Sequence, residues 1–156
     1  MTPQDLADAM LAQDFETLRD GLAPEVVLHS PITARFRFEG REEVVDILRL
    51  VRQRVDRLEY VHAYQQGADG TLVFRGLLGS QEFEGSDYIR FDSDGRVTEF
   101  RVFIRPLPAL ARLAGVLAPA LAARRSRARG TLLRVLVAPL VAFNRAGDAV
   151  GSRLVR

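Results

Sequence analysis

The sequence predicts an α+β fold, a curved antiparallel sheet with helices packed against one face, followed by a C-terminal helical extension. Two observations carry that expectation. The apolar period along the chain switches from spacings of three and four to strict alternation, in the order helix, helix, two short strands, helix, four strands. The charge switches as well: residues 1–105 hold 13 Arg against 19 Asp and Glu, net −6, whereas residues 106–156 hold 9 Arg against Asp148 alone, net +8. The net charge of +2 over 156 residues therefore conceals an acidic body, 1–105, and a basic tail, 106–156.

Thr2-Pro3 ahead of Leu6, Met10 and Leu11 predicts a capped amphipathic helix with Pro in its first turn, and a second short helix runs from Phe15 to Gly21. Val26 to Pro31 reads as a short strand stopped by proline, and Phe36-Arg37-Phe38 as another. After Gly40 comes a strong helix whose Val44, Ile47, Leu48, Val51 and Val55 share one face, with Arg49, Arg52 and Arg54 away from it. From Leu58 the period is two: Leu58 to Tyr64, a turn at Gly67-Ala-Asp-Gly70, then Leu72 to Leu78. Gly79-Ser80 turns the chain into Glu82–Phe91, and Asp92-Ser-Asp-Gly95 turns it again into Arg96–Arg105, which Pro106 ends.

Composition excludes several chemistries. With 47% apolar and 27% charged residues the chain is globular in type. It has no Cys, so no disulfide framework, thiolate nucleophile or cysteine-bound metal, a usage compatible with a reducing cytosol. Its two His, His29 and His62, are too few for a histidine-rich metal site. No Gly-x-Gly-x-x-Gly, Walker loop or Gly-x-Ser-x-Gly elbow occurs, which leaves nucleotide and acyl-hydrolase chemistry unsupported. MTPQDLADAM has neither a basic n-region nor a long apolar h-region, so the body is expected in the cytoplasm. All 22 basic residues are Arg, a usage that reflects base composition more than mechanism.

Three stretches, Leu22-Ala-Pro-Glu-Val-Val-Leu-His-Ser-Pro31, Phe38-Glu-Gly-Arg-Glu-Glu-Val-Val45 and Ser86-Asp-Tyr-Ile-Arg-Phe-Asp-Ser-Asp-Gly-Arg-Val-Thr-Glu-Phe100, together resemble the nuclear transport factor 2-like superfamily in its SnoaL-like, ketosteroid-isomerase-like branch. The resemblance spans roughly residues 3–105. It implies a cone-shaped α+β barrel, cystatin-like, whose open end holds a small hydrophobic molecule without a cofactor or metal, commonly in a homodimer. Members include isomerases, cyclases and hydratases as well as non-catalytic binding modules, so the fold alone does not give the function.

Set against ketosteroid isomerase, Asp87 falls on the oxyanion-hole aspartic acid, a carboxyl that an apolar surround keeps protonated. Asp87 shares strand parity with Ile89 and Phe91, an inward face. Two positions depart: Ser30 stands where the general base is needed, and Leu6 near the tyrosine of the first helix. A serine does not abstract a carbon-bound proton without a base of its own, so ketosteroid isomerisation is not expected. The resemblance leaves His29 with Asp87 as the catalytic pair if His29 faces the cavity; otherwise His29 is satisfied under the long helix. Ser30, Tyr60, Phe74, Ile89, Phe100 and Val102 form the expected ligand pocket. Tyr60, His62 and Tyr64 alternate as a single stripe, which belongs either to the cone opening or to an outer, dimer-forming face.

In the tail, Leu107, Leu110, Leu113, Leu117 and Leu121 recur at helical spacing, with Pro119 near the end. Leu132 or Leu133, Leu136, Leu140 and Phe143 repeat the pattern, and Arg124-Arg-Ser-Arg-Ala-Arg129-Gly130 reads as a basic turn between the two segments. Leu107–Ala123 is 17 residues long and Leu132–Phe143 is 12, both short of the roughly 20 that a spanning helix needs. Two expectations remain: residues 107–150 pack on the acidic body or a second subunit, or they lie on the inner face of a membrane as a peripheral contact. Nucleic acid is not an expected partner, because the Arg run is short and lacks interleaved aromatics.

Overall fold

The structure, a computed structural model, describes the backbone of residues 1–154 and the side chains of 1–139 and 141–143. The chain divides into two compact units, Met1–Ile104 and Arg105–Arg156.

The first unit opens with α1 (Pro3–Ala12). Thr2 and Asp5 form a capping box: the Asp5 amide donates to Thr2 Oγ1 at 3.2 Å and the Thr2 amide to Asp5 Oδ2 at 2.7 Å. Gln13, left-handed at φ 57°, ends this helix, and Asp14 caps α2 (Phe15–Gly21) by accepting from the Thr17 amide. Strand β1 (Leu22–His29) starts four residues before Val26, where the sequence expectation placed it, because Leu22 already pairs with Val97. Strand β2 is only Phe38–Glu39, paired with Leu28 and Val27; Phe36, expected in it, is 55% exposed outside.

Helix α3 (Arg41–Arg54) buries Val44, Val45, Ile47 and Leu50, while the expected Leu48 and Val51 are half-buried. Two of the arginines read as facing away from the apolar stripe also make contacts with the protein. Arg49 lies 4.8 Å over the Phe15 ring, and Arg52 Nη1 donates to the Val55 carbonyl at 3.3 Å. Four long strands follow: β3 (Arg57–Gln66), β4 (Asp69–Leu78), β5 (Gln81–Phe91) and β6 (Val97–Arg105). Gly67, at φ 60°, begins the two-residue turn between β3 and β4. Between β5 and β6, Asp92 Oδ1 accepts from the amides of Asp94 and Arg96.

The six strands form one curved sheet in the order β2-β1-β6-β5-β4-β3, which is not closed, so β2 and β3 are its edges. Among the described residues β1 runs parallel to β6, whereas β1 with β2, β3 with β4, and β4 with β5 are antiparallel. Helix α1 packs on β3 and β4, α3 on β1 and β2, and α2 between the two helices. Leu6, Leu18, Leu22, Val26, Val44, Leu72, Ile89 and Val97 are the largest of the fully enclosed side chains among the described residues, each contributing about 1.5–3 kcal/mol by leaving water.

Two glycines on β4 and β5 make room for aromatic rings directly across the ladder. Phe74 is opposite Gly85, and Phe83 opposite Gly76. A Cβ on Gly76 would meet the Phe83 ring at 2.5 Å, and one on Gly85 would meet the Phe74 ring at 2.7 Å and the Phe103 carbonyl at 2.2 Å. The rings of Phe74 and Phe83 meet edge to face at 6.3 Å, and Tyr60 meets Phe74 at 6.1 Å.

The second unit is a pair of helices, α4 (Leu107–Arg125) and α5 (Arg127–Leu154), packed on each other. The basic segment is not the loop the sequence suggested: Arg124 and Arg125 finish α4, Arg127 and Arg129 begin α5, and Ser126 alone is extended. Arg is a good helix former, so a run of it continues a helix. In α4, Leu113 and Leu117 are buried together with Ala109, Ala111 and Ala114, but Leu107, in the first turn, is 64% exposed. At 19 residues and mean hydropathy 1.3, α4 is long and apolar enough to cross a membrane, longer than the 17-residue segment read from sequence. Of the expected α5 stripe, Leu140 lies outside the described side chains.

Gly85→Ala forces a methyl group against a backbone carbonyl and the Phe74 ring, and is expected to lower stability by about 1–3 kcal/mol in urea unfolding, while an exposed change such as Glu82→Gln is expected to be neutral.

Candidate functional site

The geometry of the site is set by a bulge. Tyr60 pairs with Phe74 and His62 with Val73, so Val61 is an extra residue in β3 and the alternation reverses across it. Tyr60 therefore shares the core face with Phe74, whereas His62 and Tyr64 stand on the outer face, their rings 5.7 Å apart and Tyr64 60% exposed. The single stripe expected of Tyr60, His62 and Tyr64 is in fact split between the two faces.

Asp87 is the anomaly of the core face. It lies opposite Leu72, and along β5 it shares its side with Ile89 and Phe91, both buried. Because Phe74 and Leu72 are successive residues on that face, Tyr60 of β3 and Asp87 of β5 flank β4 on the same side of the sheet, near enough for the Asp87 charge to act on the phenol. No hydrogen bond or ion pair reaches the Asp87 carboxyl among the described residues. Burial pushes its pKa up from the ordinary carboxylate range to about 7. The Tyr60 phenol is also pushed upward, first by burial and then by the negative charge of Asp87, with Arg52 acting in the opposite sense. Arg52 is the third member of the cluster: its Nε is enclosed without a partner while Nη1 holds the Val55 carbonyl. Below neutral pH this cluster presents a carboxylic acid and a phenol as hydrogen-bond donors in an aromatic setting.

His29 is elsewhere. Leu28 and its β6 partner Phe100 are buried on the core face, so His29 points from the other side of the sheet. There His29 Nε2 lies 3.1 Å from Glu99 Oε1. Glu99 also meets Arg101 at 2.6 Å and Arg90 at 3.9 Å, and Arg101 is the main cause of its lowered pKa. Arg90 in turn reaches Asp69 at 3.5 Å, and the Tyr88 hydroxyl donates to Asp69 at 2.6 Å. The structure thus does not bring His29 and Asp87 together, because strand alternation puts them on opposite faces.

A half-open cleft of about 850 Å³ lies at the C-terminal end of β1, lined by His29, Ser30, Phe36, Val102, Phe103 and Ile104 among others. Of the expected pocket residues, Ser30 and Val102 line this cleft, and Tyr60 and Phe74 adjoin Asp87. Ile89 (0% exposed) and Phe100 (3%) are instead core. The Ser30 hydroxyl accepts from the Ile32 amide at 3.1 Å and is occupied with its own turn. Among the described residues no group of three or more His, Cys, Asp or Glu is placed to hold a metal. Arg52 was not singled out from the sequence, where it reads as part of a solvated helix face. Its unsatisfied nitrogen is visible only once α3 is docked.

An open, curved six-stranded sheet with helices packed on it defines an α+β protein of the cystatin-like class. The chain belongs to the SnoaL-like domain family, whose model matches residues 4–100. It is similar to a steroid delta-isomerase from Pseudomonas aeruginosa, at 30% identity and TM-score 0.70 over 76% of this chain and 88% of that one. A bacterial protein with a cystatin-like fold from Silicibacter pomeroyi is 25% identical, TM-score 0.69, over 84% of this chain and 90% of that one. A putative ketosteroid isomerase from Kribbella flavida, at 19% identity and TM-score 0.56 over 66% of this chain and 74% of that one, shares the fold. No curated protein matches the chain.

Asp87 gives stability a pH dependence opposite in sign to that of the surface carboxylates. With its folded pKa raised to about 7 from 3.8, the folded state holds a proton that the unfolded state has lost, so stability falls as pH rises from about 4 to 7. Glu59 and Glu99, whose pKa values are lowered, lose stability only as pH falls through the acid range. In thermal unfolding, Asp87→Asn is expected to remove the decline between pH 4 and 7 and leave the acid limb in place; an unchanged decline counts against a protonated Asp87.

Proposed function

We propose that this chain binds a small, mostly apolar molecule through a carbonyl or similar acceptor oxygen, with Asp87 and Tyr60 as the two donors. The observation that carries this reading is the Asp87 carboxyl itself, half-buried on the apolar core face with no hydrogen bond or ion pair of its own among the described residues. A half-buried carboxyl on an apolar face has room for a partner, and a ligand oxygen supplies one. The half-buried rings of Tyr60 and Phe83, each packed edge to face on the buried Phe74, give the apolar body of such a molecule a surface to lie on. The likeness to a steroid delta-isomerase supports a ligand of that type, apolar and oxygen-bearing.

Isomerase, cyclase or hydratase chemistry also needs a base beside the bound molecule. Ser30 is held by the Ile32 amide and His29 by Glu99 on the other face, so binding rather than turnover is the function inferred. A second role, attachment through residues 107–150, has its own observation in the exposed side chains of α5 and is taken up below.

The test is calorimetric titration with a steroid enone at pH 6 and pH 8. Because only the protonated carboxyl donates, affinity at pH 6 is expected to exceed that at pH 8 by about tenfold for a pKa near 7. Asp87→Asn keeps a donor and is expected to bind with no pH dependence, whereas Asp87→Leu and Tyr60→Phe each bind more weakly at both values. Equal affinity of the wild type at the two pH values, or undiminished binding by Asp87→Leu, overturns the proposal.

A further inference from the structure

Helix α5 has two apolar sides, and only one is used by α4. Gly130 is buried, and Val137 and Val141 face Gly115 of α4, where a Cβ would meet Val141 at 2.9 Å. On a different side, Leu132, Val135, Leu136 and Phe143 are 61%, 66%, 64% and 77% exposed. At about 100° per residue these four fall within an arc of roughly 100°, the width of a docking face. Scattered exposed leucines need no explanation, but four large apolar side chains aligned along three turns do.

The charge around the stripe selects what covers it. Residues 106–156 hold 9 Arg and 1 acidic residue, and Arg124, Arg125, Arg127 and Arg129 are all exposed where α4 gives way to α5. Pairing this stripe with the same stripe of a second copy brings two strongly positive units together, a repulsive arrangement. An anionic bilayer surface instead offers negative headgroups to the arginines and an acyl boundary to Leu132, Leu136 and Phe143. The preceding helix is itself apolar enough for that setting, with mean hydropathy 1.3 over its span.

We infer that the exposed face of α5 is a docking surface for an anionic lipid bilayer. This inference stands independently of the ligand proposed for Asp87. The experiment is co-sedimentation of the full chain with vesicles of phosphatidylcholine containing 30% phosphatidylserine, and with pure phosphatidylcholine vesicles. Partitioning is expected to be at least tenfold stronger on the anionic vesicles and to fall at high salt. The double variant Val135→Asp/Leu136→Asp, made at exposed positions so that folding is retained, is expected to lose association, and Arg127→Glu/Arg129→Glu to lose most of it. Equal partitioning onto both vesicle types, or none onto either, overturns the inference. So does a double variant that leaves vesicle binding intact, or a wild-type dimer on size exclusion that this variant makes monomeric without any vesicle binding, since the stripe is then a contact between copies.

Discussion

The ladder between β4 and β5 keeps one register for ten consecutive pairs, from Asp69 opposite Arg90 to Leu78 opposite Gln81, and the organisation of the first unit depends on it. Since successive residues of a strand face opposite ways, an unbroken register sorts the sheet into one side bearing Leu72, Phe74, Ile89 and Phe91 and another bearing Arg75, Glu84, Tyr88 and Arg90. A slip of one residue would exchange them. The crossed pairs of Phe74 with Gly85 and Phe83 with Gly76 oppose such a slip, because each ring occupies space that only a glycine leaves free. Asp87 is thereby fixed among apolar neighbours.

The two faces handle charge in opposite ways. On the outer side Glu59 is held by Arg75, Asp69 by Tyr88 and Arg90, and Glu99 by His29, Arg90 and Arg101. Exposed pairs of this kind contribute only about 0–1 kcal/mol each. They keep the surface soluble and the strands in place, and they consume His29. On the core side the Asp87 carboxyl has no such partner among the described residues. Chemistry is to be sought where the protein has not satisfied its own groups, and here that place is the neighbourhood of Asp87, Tyr60 and the enclosed Arg52 Nε.

Local signals were legible wherever local physics decides the outcome. Thr2-Pro3 and Asp5 announce the cap of α1, Asp92 to Gly95 announces the last turn, and the parity of Asp87 with Ile89 and Phe91 follows from a strand with no irregularity. The failures have tertiary causes. Nothing in Tyr-Val-His reveals that Val61 is an extra residue, because a bulge is a property of the pairing rather than of one strand, and so Tyr60 could not be separated from His62. Arg49 of α3 lies over the Phe15 ring, a contact across 34 positions that periodicity cannot register. Of the candidate site, Asp87, Tyr60 and Phe74 were readable; the separation of Tyr60 from His62 and the approach of Arg52 were not.

The contact between α4 and α5 runs through small residues, with Gly115 under Val141 and Gly130 against Ala123 and the Pro119 carbonyl. Helices that meet on glycine and alanine bring their backbones close and cohere by shape and dispersion, with little bulk expelled from water. Such a seam owes its strength to fit and not to the aqueous solvent, so the pair is as well suited to a hydrocarbon boundary as to water. Its two helices need not come apart or repack in passing from one medium to the other.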